Sequence, residues 1–312
     1  MKFGFSIPMG MVEPETIVRT ACRGEELGFS YVSVPDHTVI PRQIDSRYPY
    51  NESGGFPGGA GPALDQLALM AFLASATTSI RLLTSVLVLP IRNPVVMANQ
   101  LATVDVLSGG RLTAGCGVGW LREEFEAAGV DLFKERAAVS SEYIQAFREL
   151  WTSDDPTFAG EHVRFSNIVA EPKPLQQPTI PIWIGGESPG ALRRAGRLAD
   201  AWYPINVNPR YPLNTLERFL EARDTVRAHA EEAGRDPASV GMTLSGGWDP
   251  QSRSGDDGER LAFTGAPEQV ARDLQQWETA GVKTLIVRFP TTSPGEVVER
   301  LEEFAETVMP LS

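Results

Sequence analysis

Cysteine and histidine are scarce in this chain. Its 312 residues include two cysteines and three histidines, and Cys22 and Cys116 lie far apart in the sequence. Because disulfide frameworks and zinc sites need several such residues at short spacings, the sequence predicts no disulfide and no metal site. We expect two reduced, buried thiols, which favours the cytoplasm.

Long apolar segments and a surplus of basic residues are also missing. No stretch reaches the ~18 apolar residues that a membrane span needs, and the residues after Met1 do not form the apolar region of a signal peptide. The chain has 40 acidic and 28 basic residues, for a net charge of −12, which opposes binding to nucleic acid or to anionic membranes. The sequence therefore predicts a cytoplasmic protein with a small-molecule ligand.

Strand and helix patterns alternate along the whole chain. A helix at periodic spacing follows each predicted strand, and the last helix is expected to begin with a capping box at residues 293–296. The strands are predicted at 3–8, 31–34, 81–89, 111–114, 181–186, 201–203, 240–244 and 284–287. Eight such units are what a closed (β/α)8 barrel requires, so we expect one α/β TIM-barrel domain over residues 1–312.

Three insertions are predicted in this barrel. A long Gly/Pro-rich loop, residues 41–62, follows strand two, and a polar loop, residues 246–258, follows strand seven. A hairpin before strand five has one arm at His162–Phe165 and the other at Ile168–Ala170. Because connections in such folds usually have about two to six residues, the long loop after strand two is expected to be functional or disordered.

Polar and glycine-rich segments follow several of the predicted strands. Since barrel active sites lie at the carboxyl ends of the strands, we expect these segments to share one site. They are Asp36-His37 after strand two, Gly115 to Trp120 after strand four, Gly185-Gly186-Glu187 after strand five and Arg288 at the end of strand eight. The glycines at 115, 117 and 119 would let a flat or charged ligand approach the backbone.

These segments also have interpretations other than a shared site. The glycine run fails as a dinucleotide fingerprint because Trp120 occupies the third glycine position, and the segment from Gly185 lacks the lysine of a phosphate-binding Walker loop. His37 could be a polar turn residue, but its place at a strand end favours function. Arg288 fits a surface salt bridge as well as an anion clamp.

Several motifs also occur in a characteristic order. They are Val34-Pro35-Asp36-His37, Thr84-Ser85-Val86, Asn93-Pro94, Leu107-Ser108-Gly109-Gly110-Arg111-Leu112, Gly117-Val118-Gly119-Trp120 with Glu124-Phe125, and Pro181-Ile182-Trp183-Ile184-Gly185-Gly186. Together they resemble the luciferase-like monooxygenase superfamily, especially its branch that uses the deazaflavin coenzyme F420. The resemblance extends from strand one through strand six.

The resemblance implies a TIM barrel, often homodimeric, that holds a flavin-type ring at the strand ends. It implies that a non-proline cis peptide bond between Ser85 and Val86 backs the middle ring of the deazaflavin. The segment Gly117-Val118-Gly119-Trp120 would line the cofactor, and Gly185-Gly186-Glu187 would offer backbone N–H groups to its phosphate. His37 would face the reacting edge as acid or base, with Asp36 setting its tautomer or position.

One departure from the superfamily concerns Trp120. Deazaflavin-dependent sugar-phosphate dehydrogenases of this superfamily carry a catalytic glutamate at that position. The resemblance therefore implies an oxidoreductase that transfers hydride between deazaflavin and a small organic substrate, with the substrate class open. Two alternatives are an FMN-dependent monooxygenase that activates oxygen and a non-catalytic flavin-binding protein; the Asp36-His37 pair argues against the latter.

Overall fold

The computed structural model describes residues 1–59, 61–255, 258, 260–289 and 295–312. The strands in these ranges are β1 (Lys2–Ser6), β2 (Tyr31–Val34), β3 (Arg81–Thr84), β4 (Leu87–Val88), β5 (Leu112–Gly117), β6 (Phe158–Ala159), β7 (Arg164–Phe165), β8 (Ile182–Gly185), β9 (Ala201–Tyr203), β10 (Gly241–Gly247) and β11 (Val282–Arg288).

The helices pack around these strands. They are α1 (Pro14–Glu26), α2 (Gln66–Ala76), α3 (Pro94–Leu107), α4 (Arg122–Ala127), α5 (Arg136–Thr152), α6 (Pro189–Leu198), α7 (Leu216–Glu232), α8 (Pro267–Thr279) and α9 (Glu296–Thr307). No helix in the described ranges is long and apolar enough to cross a membrane. The capping box predicted for α9 begins at Ser293, which lies outside the described residues; the described part of the helix starts at Glu296.

The main sheet closes on itself. Its order is β3-β2-β1-β11-β10-β9-β8-β5, and β5 pairs back with β3. All of these pairings are parallel, and β4 continues the position of β3 by pairing with the far end of β5. The described strands of this sheet thus form a closed parallel barrel, and the predicted TIM-barrel fold is confirmed.

The core fills the barrel and the layer between strands and helices. On one side, aromatic rings join a strand to two helices. Trp202 of β9 stacks on Phe219 of α7 with ring centroids 5.6 Å apart, and the Phe219 and Trp277 centroids, in α7 and α8, are 4.9 Å apart. Trp202 also donates a hydrogen bond to the Gly186 carbonyl at 2.9 Å. It is therefore part of the barrel wall, as its apolar strand context predicts.

The strand predicted over residues 81–89 is interrupted. β3 ends at Thr84, the peptide bond between Ser85 and Val86 is cis, and β4 resumes at Leu87. Ser85 and Val86 are half-buried, whereas the residues on either side are buried. We call these two residues the cis bulge. The continuous apolar pattern contains no sign of the interruption, but the cis bond itself was implied by the family resemblance.

The glycines of β5 make room for the cis bulge. A Cβ atom on Gly115 would collide with the Thr84 carbonyl oxygen, and one on Gly117 would lie 2.5 Å from Val86 Cγ2. The space beside these two glycines is thus filled by the protein's own neighbouring strand. The interpretation that they leave bare backbone for a ligand is wrong, because it overlooked how closely adjacent strands pack where one of them bulges.

The hairpin before β8 has different arms from those predicted. β6 pairs with β7 antiparallel, so Phe158 faces Phe165, while residues 168–170 form no strand. The Glu142 carboxylate of α5 accepts hydrogen bonds from the N–H groups of His162 and Val163 and so holds the turn. These contacts with α5 favour β6, not residues 168–170, as the partner of β7. Local β-propensity does not reveal contacts between residues so far apart in the chain.

The two cysteines are free thiols. Cys116 is buried as expected, whereas Cys22 is half-buried and donates a hydrogen bond to the Ala76 carbonyl at 3.2 Å. The predicted burial is therefore confirmed for Cys116 and wrong for Cys22, which lies at the edge of α1 where that helix meets the end of α2.

Candidate functional site

The predicted site residues meet at the carboxyl end of the barrel. Because the strands are parallel, the segments that follow β2, β5, β8 and β11 emerge at the same rim as the cis bulge. Asp36 and His37 follow β2, Trp120 follows β5, and Arg288 ends β11.

Asp36 is a structural anchor between β2 and the segment after the cis bulge. Its two carboxylate oxygens each accept a hydrogen bond from the Arg92 guanidinium at 2.7 Å, and one also accepts from the Val88 N–H at 2.8 Å. Burial raises the pKa of Asp36, while Arg92 opposes that rise by stabilising the ionised form. The carboxylate makes no hydrogen bond to His37 in the described structure.

Glu124 makes the contact that was expected from Asp36. One of its oxygens lies 3.1 Å from His37 Nδ1, and the other accepts the Thr38 N–H at 2.6 Å. The side chains of His37 and Glu124 are 11% and 3% exposed, so water competes little for this pair. Glu124 lies 87 residues from His37 in the chain, and only the Glu-Phe of the family motif pointed to it.

Aromatic rings surround His37 at the mouth of the barrel. We call Tyr48, Tyr50, Phe56 and Trp120 the aromatic cluster. The His37 ring centroid lies 5.3 Å from Phe56 and 6.3 Å from Trp120, and Tyr48 lies 5.2 Å from Trp120. Three of these four residues come from the loop after β2, which supports the prediction that the long loop is functional.

The loop after β2 is tied to α4. The Glu123 carboxylate accepts hydrogen bonds from the backbone N–H groups of Asp45 and Ser46 at 2.8 and 2.9 Å. Glu123 and Glu124 thus hold two stretches of the same connection with adjacent carboxylates. The same loop packs Phe56 against His37 and Tyr48 against Trp120.

The cis bulge is bonded to the opposite wall of the barrel. Ser85 Oγ and the Tyr203 hydroxyl are 2.9 Å apart. Tyr203 of β9 is buried, and its hydroxyl reaches the bulge across the barrel interior. The apolar alternation of its strand gave no signal for this polar contact.

Glu187 lies below the mouth, turned inward. Its oxygens accept hydrogen bonds from the Ile205 N–H at 2.7 Å and from Asn208 Nδ2 at 2.8 Å. Burial raises the pKa of Glu187 from 4.5 to about 7, although these hydrogen bonds oppose the rise. The carboxylate therefore does not face the start of α6, where a phosphate was expected.

The start of α6 is capped and partly open. Ser188 Oγ accepts a hydrogen bond from the Ala191 N–H at 3.3 Å, as is typical of a serine that precedes a helix. Gly186 has a φ of +104°, and no atom lies within 4 Å of the place where a side chain on Gly190 would begin. The first turn of α6 therefore has open space beside Gly190.

These residues fit a flat, phosphate-bearing heterocycle. The half-exposed Val86 side chain offers an apolar surface, and Gly117 and Gly185 pack against it, since Cβ atoms on them would lie 2.5 and 3.3 Å from its methyl carbons. No group of three or more histidine, cysteine, aspartate or glutamate side chains in the described ranges could hold a metal ion.

The sequence and the fold both match known proteins. Residues 1–248 match the luciferase-like monooxygenase family. An uncharacterized protein of Mycobacterium tuberculosis is 31% identical over 309 residues, which cover 98% of this chain and 98% of that protein. An FMNH(2)-dependent dimethylsulfone monooxygenase of Pseudomonas fluorescens is 27% identical over 290 residues, covering 79% and 77%. The coenzyme F420 dependent tetrahydromethanopterin reductase from Methanopyrus kandleri superposes with a TM-score of 0.76 at 17% identity, over 99% and 98%.

The raised pKa of Glu187 predicts a pH-dependent stability. Because the folded chain favours the protonated carboxyl, this contribution is complete below about pH 4.5 and is lost as the pH rises through about 7. We expect the free energy of unfolding of the wild type to fall by on the order of 2–3 kcal/mol more than that of Glu187→Gln between about pH 5 and about pH 8. Urea denaturation at both pH values measures the difference. Glu126→Gln, at an exposed carboxylate of α4, should behave like the wild type, and equal losses in wild type and Glu187→Gln would contradict the prediction.

Proposed function

The chain belongs to the luciferase-like monooxygenase family, and we propose that it is an oxidoreductase that uses the deazaflavin coenzyme F420 to exchange a hydride with a small organic substrate. The observation that carries this proposal is that the cis bulge and the His37–Glu124 pair occupy the same end of the barrel. The similarity of the fold to an F420 dependent reductase supports the choice of cofactor.

The cofactor's place follows from the shape of the rim. In this proposal the cis bulge, Ser85 and Val86, supports one face of the ring through the Val86 side chain. Val118, Gly119 and Trp120 line the edge of the ring. The backbone from Gly185 through Glu187, leading into the open start of α6, would receive the phosphate. When bound, a deazaflavin supplies a carbon that gives or takes hydride at the position where a flavin has a nitrogen.

His37 is the residue that would hold the accompanying proton. If Glu124 accepts the Nδ1–H, the Nε2 lone pair is left to take a proton from the substrate, and the protonated ring can return it. The Thr38 N–H keeps the Glu124 carboxylate in place. Asp36 acts in this proposal as a positioning residue, because it fixes the backbone beside His37 through Arg92.

Substitution of Glu124 should reverse the tautomer of His37. In Glu124→Gln, the amide oxygen is needed by the Thr38 N–H, so the amide NH2 faces Nδ1 and leaves the ring proton on Nε2. We expect Glu124→Gln and His37→Asn each to slow reduction or oxidation of bound cofactor by about 10²- to 10⁴-fold. Cofactor affinity should stay within about tenfold. Glu126→Gln is the control, and near-wild-type rates in His37→Asn would show that the proton comes from elsewhere.

Cofactor choice is tested directly by equilibrium binding. We expect the purified chain to bind oxidised F420 at least about tenfold more tightly than FMN, and reduced F420 more tightly than FMNH2 under anaerobic conditions, a difference of about 1.4 kcal/mol. Fluorescence titration of each cofactor into the same preparation measures these constants. Tighter binding of FMN or FMNH2 would refute the deazaflavin proposal.

An FMN-dependent monooxygenase is the second candidate function. The observation that favours it is the similarity to an FMNH(2)-dependent monooxygenase over 79% of this chain. In that case oxygen uptake would accompany turnover, whereas a deazaflavin reacts poorly with oxygen. A flavin-binding protein without catalysis is the weakest alternative, because it gives no reason for a buried carboxylate to orient His37.

We also propose that the chain forms a homodimer through α2 and α3. These helices carry apolar residues on nearly every side, so some of their apolar side chains face away from the barrel strands. Phe72 of α2 is 40% exposed, and Val96 and Leu107 of α3 are 56% and 61% exposed. Val96 and Leu107 lie about three turns apart on one face of α3, as expected for a helix that packs against a second copy.

Charges on α3 should dissociate this dimer. We expect the wild type to sediment as a dimer and the double variant Val96→Glu/Leu107→Glu as a monomer, because two buried charges in each copy would be left without partners. Sedimentation velocity measures the masses. Val169→Glu is the control, since Val169 is 85% exposed in the insertion before β8; a monomeric wild type would contradict the proposal.

A further inference from the structure

A guanidinium group with unused donors lies in the mouth of the barrel. Arg288 is half-buried at the end of β11. Its Nη2 donates to Asn206 Oδ1 at 3.3 Å, and its buried Nε–H has no acceptor among the described residues. A buried charged donor is costly to leave without an acceptor, so this group is suited to receive one from a ligand.

Two tyrosine side chains, Tyr48 and Tyr50, lie within electrostatic range of this guanidinium. Burial raises the pKa of Tyr48 and of Tyr50, and the charge of Arg288 is near enough to oppose that rise in both. Both hydroxyls therefore remain protonated at neutral pH and can donate a hydrogen bond. Neither makes a side-chain hydrogen bond within the part of the chain that the structure describes, in contrast to the Tyr203 hydroxyl, which meets Ser85.

The nearby carboxyl group does not neutralise Arg288. Both oxygens of Glu187 are occupied by the Ile205 N–H and Asn208, and no ion pair joins Glu187 to Arg288 in the described ranges. Burial also raises the pKa of Glu187 to about 7, so a fraction of it is uncharged at neutral pH. The positive charge of Arg288 is thus available to a ligand.

We propose that Arg288, with the hydroxyls of Tyr48 and Tyr50, binds a carboxylate group of the substrate. The planar guanidinium favours a carboxylate because its parallel N–H groups match the two oxygens. This inference rests on the proposed oxidoreductase function and names its substrate class: a small carboxylic acid with an apolar body.

The aromatic cluster accounts for the apolar body. Tyr48 contacts both Phe56 and Trp120, at 5.5 and 5.2 Å, and those two rings contact His37. A substrate with its carboxylate at Arg288 would therefore lie along these rings and extend its reacting carbon toward His37. The cation fixes one end of the molecule and the imidazole acts on the other.

Benzoate and benzamide test the charge recognition in the cofactor-free protein, since they share one shape and differ in charge. By calorimetry, we expect the wild type to bind benzoate about ten- to hundredfold more tightly than benzamide, the range for hydrogen bonds to charged groups. Arg288→Gln should remove that preference while benzamide affinity changes by less than about threefold, well below one tenfold step. Arg288→Lys should recover only part of the benzoate affinity, because an ammonium lacks the planar fork.

Arg253→Gln is the matched control, because it removes the same charge from an exposed arginine paired with Asp249. If Arg288→Gln does not fold, Tyr50→Phe, which removes one hydroxyl only, must weaken benzoate more than benzamide. Equal affinities for the two probes, no benzoate binding, or benzoate affinity that survives Arg288→Gln would overturn the inference.

The alternative acceptor for the Arg288 donors is an oxygen atom of the cofactor. If Arg288→Gln weakens F420 or FMN binding by tenfold or more, about 1.4 kcal/mol, and leaves benzoate unaffected, the arginine serves the cofactor and the inference is wrong. Because benzoate is titrated without cofactor, its result is independent of whether F420 or FMN binds more tightly. The two proposals can therefore fail separately.

Discussion

The buried ion pair between Asp36 and Arg92 is the interaction on which the site depends. It joins the end of β2 to the chain just after the cis bulge, and the same carboxylate accepts the Val88 N–H. Removing one partner of such a pair typically costs about 3–5 kcal/mol, because the other charge stays buried. His37 follows Asp36 directly, so this pair fixes the backbone of the proposed acid–base residue relative to the proposed ring platform.

The fold could be predicted from the sequence because alternating strand and helix patterns repeat along the chain, and each local signal agrees with the barrel. The contacts within the site could not be predicted from such local patterns. Asp36 and Glu124 are both carboxylates near His37, and the residue adjacent in sequence was expected to orient the ring; the structure gives that contact to Glu124, 87 residues away. Likewise the glycines of β5 predicted the close approach of a ligand to the backbone, but the group that approaches Gly117 is Val86 of the cis bulge.

The two ends of the aromatic cluster have complementary chemistry. At one end the Glu124 carboxylate contacts Nδ1 of His37, the proposed acid–base residue, and at the other the buried Arg288 Nε–H has no acceptor among the described residues. The loop after β2 supplies most of the rings between them and is held by Glu123. Family membership accounts for the barrel, whereas in our proposal the polar groups around this cluster select the substrate.

We propose that the cis bulge supports a deazaflavin ring whose reacting edge faces His37. A crystal structure of the chain with F420 bound tests it most directly. We expect one face of the ring against Val86 and the reacting carbon on the His37 side, with room for a substrate between that carbon and Nε2. A ring bound away from Val86, or a His37 side chain turned away from the ring, would contradict this placement.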